Sequence, residues 1–164
     1  MNSTKHYALI LATLLSLLIP VQSWGGDFQK GLDAYNSGDY ATTLKEWTPL
    51  AEKGDSMAQA NLALMYYNGH GVAQDYKTAV KWYTLSAEQG EASAQSRLGY
   101  MYFIGQGVIQ HYVKAHMWSN IASSNGGIFT PENRDDIAKK MTPSQIEEAQ
   151  RLARECVAKN YKGC

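Results

Sequence analysis

The sequence has no surplus of either charge, because 15 Lys and Arg are matched by 15 Asp and Glu. Nucleic-acid binders carry a basic stripe and peripheral membrane proteins a basic helix face, so neither partner class is expected. Long apolar runs are also missing. The one at residues 8–19 falls short of the ~20 needed to cross a bilayer as a helix. Cysteine is scarce, with Cys156 and Cys164 the only two, so no disulfide framework spans the body of the chain and no Cys/His cluster suggests a metal. The four histidines are scattered, and His111 and His116, five residues apart, lie about 140° apart around a helix and make no metal pair. No HExxH, GxSxG, Walker loop or SxxK occurs. Gly69 and Gly71, like Gly105 and Gly107, read as turn glycines rather than phosphate cradles. Asp135 and Asp136 are adjacent near a helix's first turn and read as a solvated, dipole-favoured face. These absences leave a chain without expected catalytic residues, cofactor or metal.

What is present begins with an export signal. Lys5 and His6 precede the apolar run at 8–19, which is closed by Pro20 and followed by Val21-Gln22-Ser23. That order is a basic n-region, a short h-region and a small-residue cleavage site. Residues 1–23 are therefore expected to be a removed signal peptide, leaving a periplasmic or secreted chain with no stable membrane span; a retained anchor is the alternative. An oxidising compartment favours a disulfide between Cys156 and Cys164. Closing so short a loop stabilises the terminus by about 2–3 kcal/mol in the chain-entropy model. A redox pair would use a tighter C-x-x-C, which is absent.

Internal repetition is the second strong signal. Residues 55–90 align with 91–126 without a gap, pairing Ala58 with Ala94, Leu62 with Leu98, Met65 with Met101, Gly71 with Gly107, Tyr76 with Tyr112 and Trp82 with Trp118, a period of 36 residues. A shorter, degenerate copy at 27–54 follows the same register, with Asp39, Tyr40 and Gly54 answering to Asp75, Tyr76 and Gly90. Apolar residues fall at helical spacing on both sides of each glycine pair, which predicts two antiparallel helices per unit. A lone hairpin cannot bury its apolar face, so stacked units must do so, giving an all-α, right-handed solenoid. Pro49 predicts a kink in the first unit's second helix near residues 45–49. Ser119 and Ser123 stand where an aromatic and an alanine are expected, which predicts looser packing or a specialised face in the last unit's second helix.

The fixed positions A-x-x-x-L-(G/A)-x-M-Y-(Y/F)-x-G-x-G-V-x-Q-(D/H)-Y-x-x-A-x-x-W resemble the Sel-one-like repeat (SLR) family, close relatives of tetratricopeptide repeats, across roughly residues 27–126. The resemblance implies a non-enzymatic adaptor of the bacterial cell envelope that binds another protein, as a peptide or helix, in the concave groove of stacked helices. Two alternatives share the framework. One is a secreted factor acting on a host. The other is a hydrolase or binder of cell-wall amides of the β-lactam type, which the missing repeat cysteines disfavour. In tetratricopeptide-like units the first helix lines the groove, which makes Tyr35, Leu64, Tyr67, Asn68, Tyr100, Phe103 and Ile104 the candidate partner-binding residues. Tyr35, Tyr67 and Phe103 then form an aromatic column suited to an interface; inter-repeat packing is the competing reading for the same rings. Tyr66, Tyr76, Tyr102, Tyr112, Trp82 and Trp118 are expected in the core.

A solenoid end exposes an apolar face and needs a cap, expected at residues 130–164. Thr130-Pro131 and Thr142-Pro143 each place a capping hydroxyl before a proline, and Gln145 completes a capping box with Thr142. Ile146, Ala149, Leu152, Ala153 and Cys156 form the stripe that lies against the last repeat.

Overall fold

The computed structural model describes residues 26–127 and 131–164, so the expected signal peptide at 1–23 and the expected cap Thr130 lie outside the described residues. Among the described residues the secondary structure is entirely helical, with eight helices: α1 (Phe28–Ser37), α2 (Tyr40–Glu52), α3 (Ser56–Asn68), α4 (Tyr76–Ala87), α5 (Ala92–Ile104), α6 (Tyr112–Ser124), α7 (Pro131–Ala138) and α8 (Pro143–Ala158). From α1 to α7 each helix packs on its neighbours in the chain, and α8 packs on α6. The result is a helical solenoid of stacked hairpins.

The starts of these helices are written in the sequence. Asp27, Asp39, Asp55 and Asp75 each accept hydrogen bonds from amides two or three residues ahead. These bonds satisfy donors that the first helical turn leaves open. Glu91 does the same for α5, and His111 keeps the role for α6 through Nδ1, 3.3 Å from the Lys114 amide. Thr142 and Gln145 form the expected capping box at α8.

Two repeated contacts fix how the units stack. A Cβ on Gly71 would lie 2.5 Å from Cβ of Tyr40, and one on Gly107 would lie 2.3 Å from the Tyr76 carbonyl oxygen. Both glycines have φ near +70° (72° and 71°). Each loop therefore presses bare backbone against the first residue of the preceding unit's second helix. The second contact is a buried amide. Gln59 donates to the Ala51 carbonyl at 3.0 Å and accepts from Gln89 at 2.8 Å. One period later Gln95 donates to the Ala87 carbonyl at 3.1 Å and accepts from Asn125 at 2.9 Å.

Trp47 fills the first junction, stacked on Phe28 and donating from Nε1 to the Phe28 carbonyl at 3.1 Å. Gly31 makes room for it, since a Cβ there would lie 2.4 Å from Nε1. Ala58, Leu62 and Met65 continue this cluster, and Leu98, Met101, Trp118 and Ile121 form the next. Truncating such a buried side chain to alanine costs about 2–5 kcal/mol.

Helix α2 runs through Pro49 to Glu52. The ring removes only the amide that would bond the Lys45 carbonyl, three residues before the helix ends. One expectation needs correction, since α6 is not loosely packed. Val113, Ala115, His116, Met117, Trp118, Ser119, Ile121 and Ala122 are all buried, because α7 and α8 cover the side that an open solenoid end exposes. Ser119 replaces an aromatic ring where Gly99 brings the α5 backbone close, and its hydroxyl donates to the Ala115 carbonyl at 2.6 Å.

Cys156 and Cys164 are joined by a disulfide that turns the chain back after α8. The returning tail is tied to the repeats. Tyr161 lies against Gly90 and accepts from Asn125 at 3.1 Å, and the Gly163 amide donates to Glu88 at 3.1 Å.

Candidate partner-binding groove

Helix α3 is apolar around most of its circumference, which a helix with one solvent face does not require. Ala58, Leu62 and Met65 supply its core face. Met57, Asn61, Leu64 and Tyr67, spaced three or four apart, supply another face and form one wall of a groove of about 510 Å³. The facing wall comes from α5, where Ser96, Arg97 and Tyr100 stand one period after Ala60, Asn61 and Leu64. Ala60 of α3 and Tyr83 of α4 close the base, Tyr83 being only 2% exposed. The groove thus lies between the first helices of two successive units, with the second helix of the earlier unit beneath.

Its polar groups come from Asn61, Glu91, Ser93, Ser96, Arg97 and the phenols of Tyr67, Tyr83 and Tyr100. Burial raises the Tyr67 phenol above its ordinary value, with Tyr100 and Tyr76 adding to the effect and Arg97 opposing it. Burial raises Tyr83 much further, again against Arg97. Both phenols are therefore neutral donors at physiological pH, within electrostatic reach of one guanidinium. Tyr67 donates to Oε1 of Gln106 at 3.1 Å. The Tyr83 hydroxyl is buried and has no hydrogen-bond partner among the described residues. Arg97 makes no ion pair among the described residues. Glu91, at the rim, is held by the α5 terminus, accepting from the Ser93 amide and hydroxyl at 3.4 and 3.0 Å.

Of the candidate residues, Leu64, Tyr67 and Tyr100 come together in this groove. The other four stand outside it. Tyr35 stacks on Trp47 and tilts against Tyr40, both at 5.6 Å between centroids, and its hydroxyl lies 3.1 Å from Nδ1 of His70 in the next unit. Phe103 tilts against Tyr112 and joins the small cluster around Ile137. Asn68 is exposed at the end of α3, and Ile104 is half-buried at the end of α5. The expected column of Tyr35, Tyr67 and Phe103 is therefore three equivalent closures of the hairpins, against Tyr40, Tyr76 and Tyr112. A ring in the last turn of a first helix sits beside the start of the second, and packing there outweighs exposure. Only Tyr67 also reaches the groove. Of the expected core aromatics, Trp118 is fully buried, while Tyr66, Tyr76, Tyr102, Tyr112 and Trp82 are partly buried against the core clusters.

Sequence reasoning missed Met57, Asn61, Arg97 and Tyr83. The first three carried a signal, because they extend the face of Leu64 and Tyr100 at i−7, i−3 and i−3 respectively. Tyr83 carried none, since its position in the repeat is that of the core ring Trp47.

The histidines have structural surroundings. His70 stacks on Tyr40 at 4.8 Å, and buried His116 lies with Nδ1 3.0 Å from the Asn120 amide. Among the described residues no three His, Cys, Asp or Glu are placed to hold a metal ion, and no helix is long and apolar enough to cross a membrane. A second, more polar hollow of about 570 Å³ lies between α6 and α8, flanked by Arg134 and Arg154.

The Sel1 repeat family model matches residues 56–91 and 92–127. A protective antigen present in uropathogenic Escherichia coli strains, displaying an SLR fold, is similar at 31% identity and a TM-score of 0.74 over 80% of this chain. The match covers 30% of that antigen's chain, so this chain spans under a third of its length. A Sel1 repeat protein from Oxalobacter formigenes is similar at 29% identity and a TM-score of 0.60, over 66% of this chain and 85% of that one. No curated protein matches the sequence significantly.

Proposed function

The chain carries two Sel1 repeats, and from that premise we propose that it is a non-enzymatic adaptor of the cell envelope, holding a segment of a partner protein in the groove between α3 and α5. Sel1 repeat proteins generally mediate protein–protein interactions and are typically non-catalytic. The observation that carries the reading is the groove itself. Met57 and Tyr100 leave large apolar surface in water, at 52% and 38% exposure, on facing helices of a packed solenoid. Aromatic side chains of this kind give broad contact at low entropic cost. Export rests on the signal at residues 1–23 and on the Cys156–Cys164 disulfide, which suits an oxidising compartment. Residues 27–54 serve as a degenerate first repeat and 130–164 as the cap.

The test is crosslinking in cells that express the exported protein, comparing wild type with Leu64→Ala and Tyr100→Ala. Loss of one discrete crosslinked partner in both variants, with unchanged melting temperatures, supports the groove. Unchanged capture removes it. The similar antigen supports a second reading, a factor released to act on a host; the protein's presence in culture supernatant rather than periplasm favours that one.

A further inference from the structure

Taking the groove as the partner site, we infer that the segment it binds presents an aspartate or glutamate side chain, flanked by apolar residues, to Arg97 and the hydroxyl of Tyr83. Three observations converge on this chemistry. Tyr83 lines the groove and carries a buried hydroxyl without a partner. Folded proteins pair nearly all such groups, and an acceptor that reaches this one from the groove satisfies it. Arg97 lines the same groove and makes no ion pair among the described residues. Glu91, the acidic residue of the lining, accepts from Ser93 at its own helix terminus and forms no ion pair with Arg97. Met57, Leu64 and Tyr67 line the same groove and offer apolar surface to the side chains that flank the acid.

Position selects a side-chain carboxylate over a chain terminus. From Met57 to Tyr67 the wall runs along about three turns of α3, roughly 15 Å, enough for four or five extended residues. Arg97 belongs to the middle of α5 (Ala92–Ile104) rather than to either end. An acid reaching it from a segment laid along the groove is therefore internal to that segment. A guanidinium and a phenol donating to one carboxylate form charge-assisted hydrogen bonds, which discriminate strongly against the neutral amide.

The experiment pans a phage library of random dodecapeptides against the immobilised exported chain, then measures the best peptide and its acid-to-amide version by fluorescence polarisation. The expected result is an enriched Asp or Glu beside an apolar residue, with the amide version bound about tenfold or more weakly. Arg97→Gln should erase the difference between the two peptides, and Arg97→Lys should restore part of it. Tyr83→Phe should weaken the acidic peptide alone, without lowering the melting temperature, and Arg154→Gln, a cation outside the groove, should change nothing. If peptides bind and respond to Leu64→Ala and Tyr100→Ala but show no acidic preference and ignore Arg97→Gln, the inference is overturned while the groove stands. If no peptide is enriched, or binding ignores Leu64→Ala and Tyr100→Ala, the groove reading falls with it.

Discussion

A Cβ placed on Gly107 would sit 2.3 Å from the carbonyl oxygen of Tyr76. The loop of one repeat thus lies directly on the start of the preceding repeat's second helix. Backbone, unlike the tip of a flexible side chain, cannot step aside.

Gly107→Ala is therefore expected to lower stability by about 2 kcal/mol or more, adding a clash to the cost of positive φ. Gly126→Ala has the same sign of φ (76°) but open space around its Cβ, and is expected to cost only about 1 kcal/mol. Urea unfolding of the two variants measures the difference, and equal losses would show that the loop contact contributes nothing.

Tyr83 separates ring from hydroxyl. The ring is buried at the junction of α3, α4 and α5, so Tyr83→Ala should cost about 3–5 kcal/mol. The hydroxyl is buried without a partner, so Tyr83→Phe should hold or raise stability, by up to about 1 kcal/mol. Thermal melts of both variants check this, and a clear loss in Tyr83→Phe would mean the hydroxyl has a structural bond.

The Cys156–Cys164 disulfide holds the turn that brings Tyr161 onto Gly90 and Gly163 onto Glu88. Reducing it, or replacing both cysteines with serine, should cost about 2–3 kcal/mol. The effect should be local, with amide exchange accelerating in residues 156–164 while α3 and α4 stay protected. Uniform loss of protection would show that the tail stabilises the whole solenoid.

Burial holds the His116 imidazole below its ordinary value of 6.5, with Arg134 adding to the effect and Asp135 opposing it. The unfolded chain therefore binds the proton more tightly than the folded one. Stability from this group is complete above the unfolded value and is lost as pH falls below it toward the folded value. The melting temperature of wild type should drop between about pH 7 and pH 5 more than that of His116→Gln. Parallel pH profiles for the two proteins would contradict the assignment.

Much of this fold is legible in the sequence because each signal is local or repeated. The Thr142–Gln145 box marks a helix start through bonds spanning three residues, and the aspartates before α1 to α4, not expected as caps, serve the same local role. The 36-residue register locates Gly71 and Gly107 at equivalent turns. Other features depend on how units sit together. The packing of α6 could not be read from Ser119, because the cover comes from α7 and α8, later in the chain. The rings of Tyr35 and Phe103 share the register of Tyr67, yet only Tyr67 has both a later repeat to donate to and an open wall beside it. Whether the Tyr83 hydroxyl finds a partner depends on which side chains pack around it, which no residue spacing encodes.

The most direct measurement places a photo-crosslinking amino acid at Tyr100, inside the groove, and in parallel at Ile109, which is 90% exposed outside it. In cells exporting the protein, the Tyr100 probe should give one dominant adduct that Leu64→Ala abolishes, while the Ile109 probe gives none of that species. The same adduct from both positions, or an adduct at Tyr100 indifferent to Leu64→Ala, would contradict a partner held between α3 and α5.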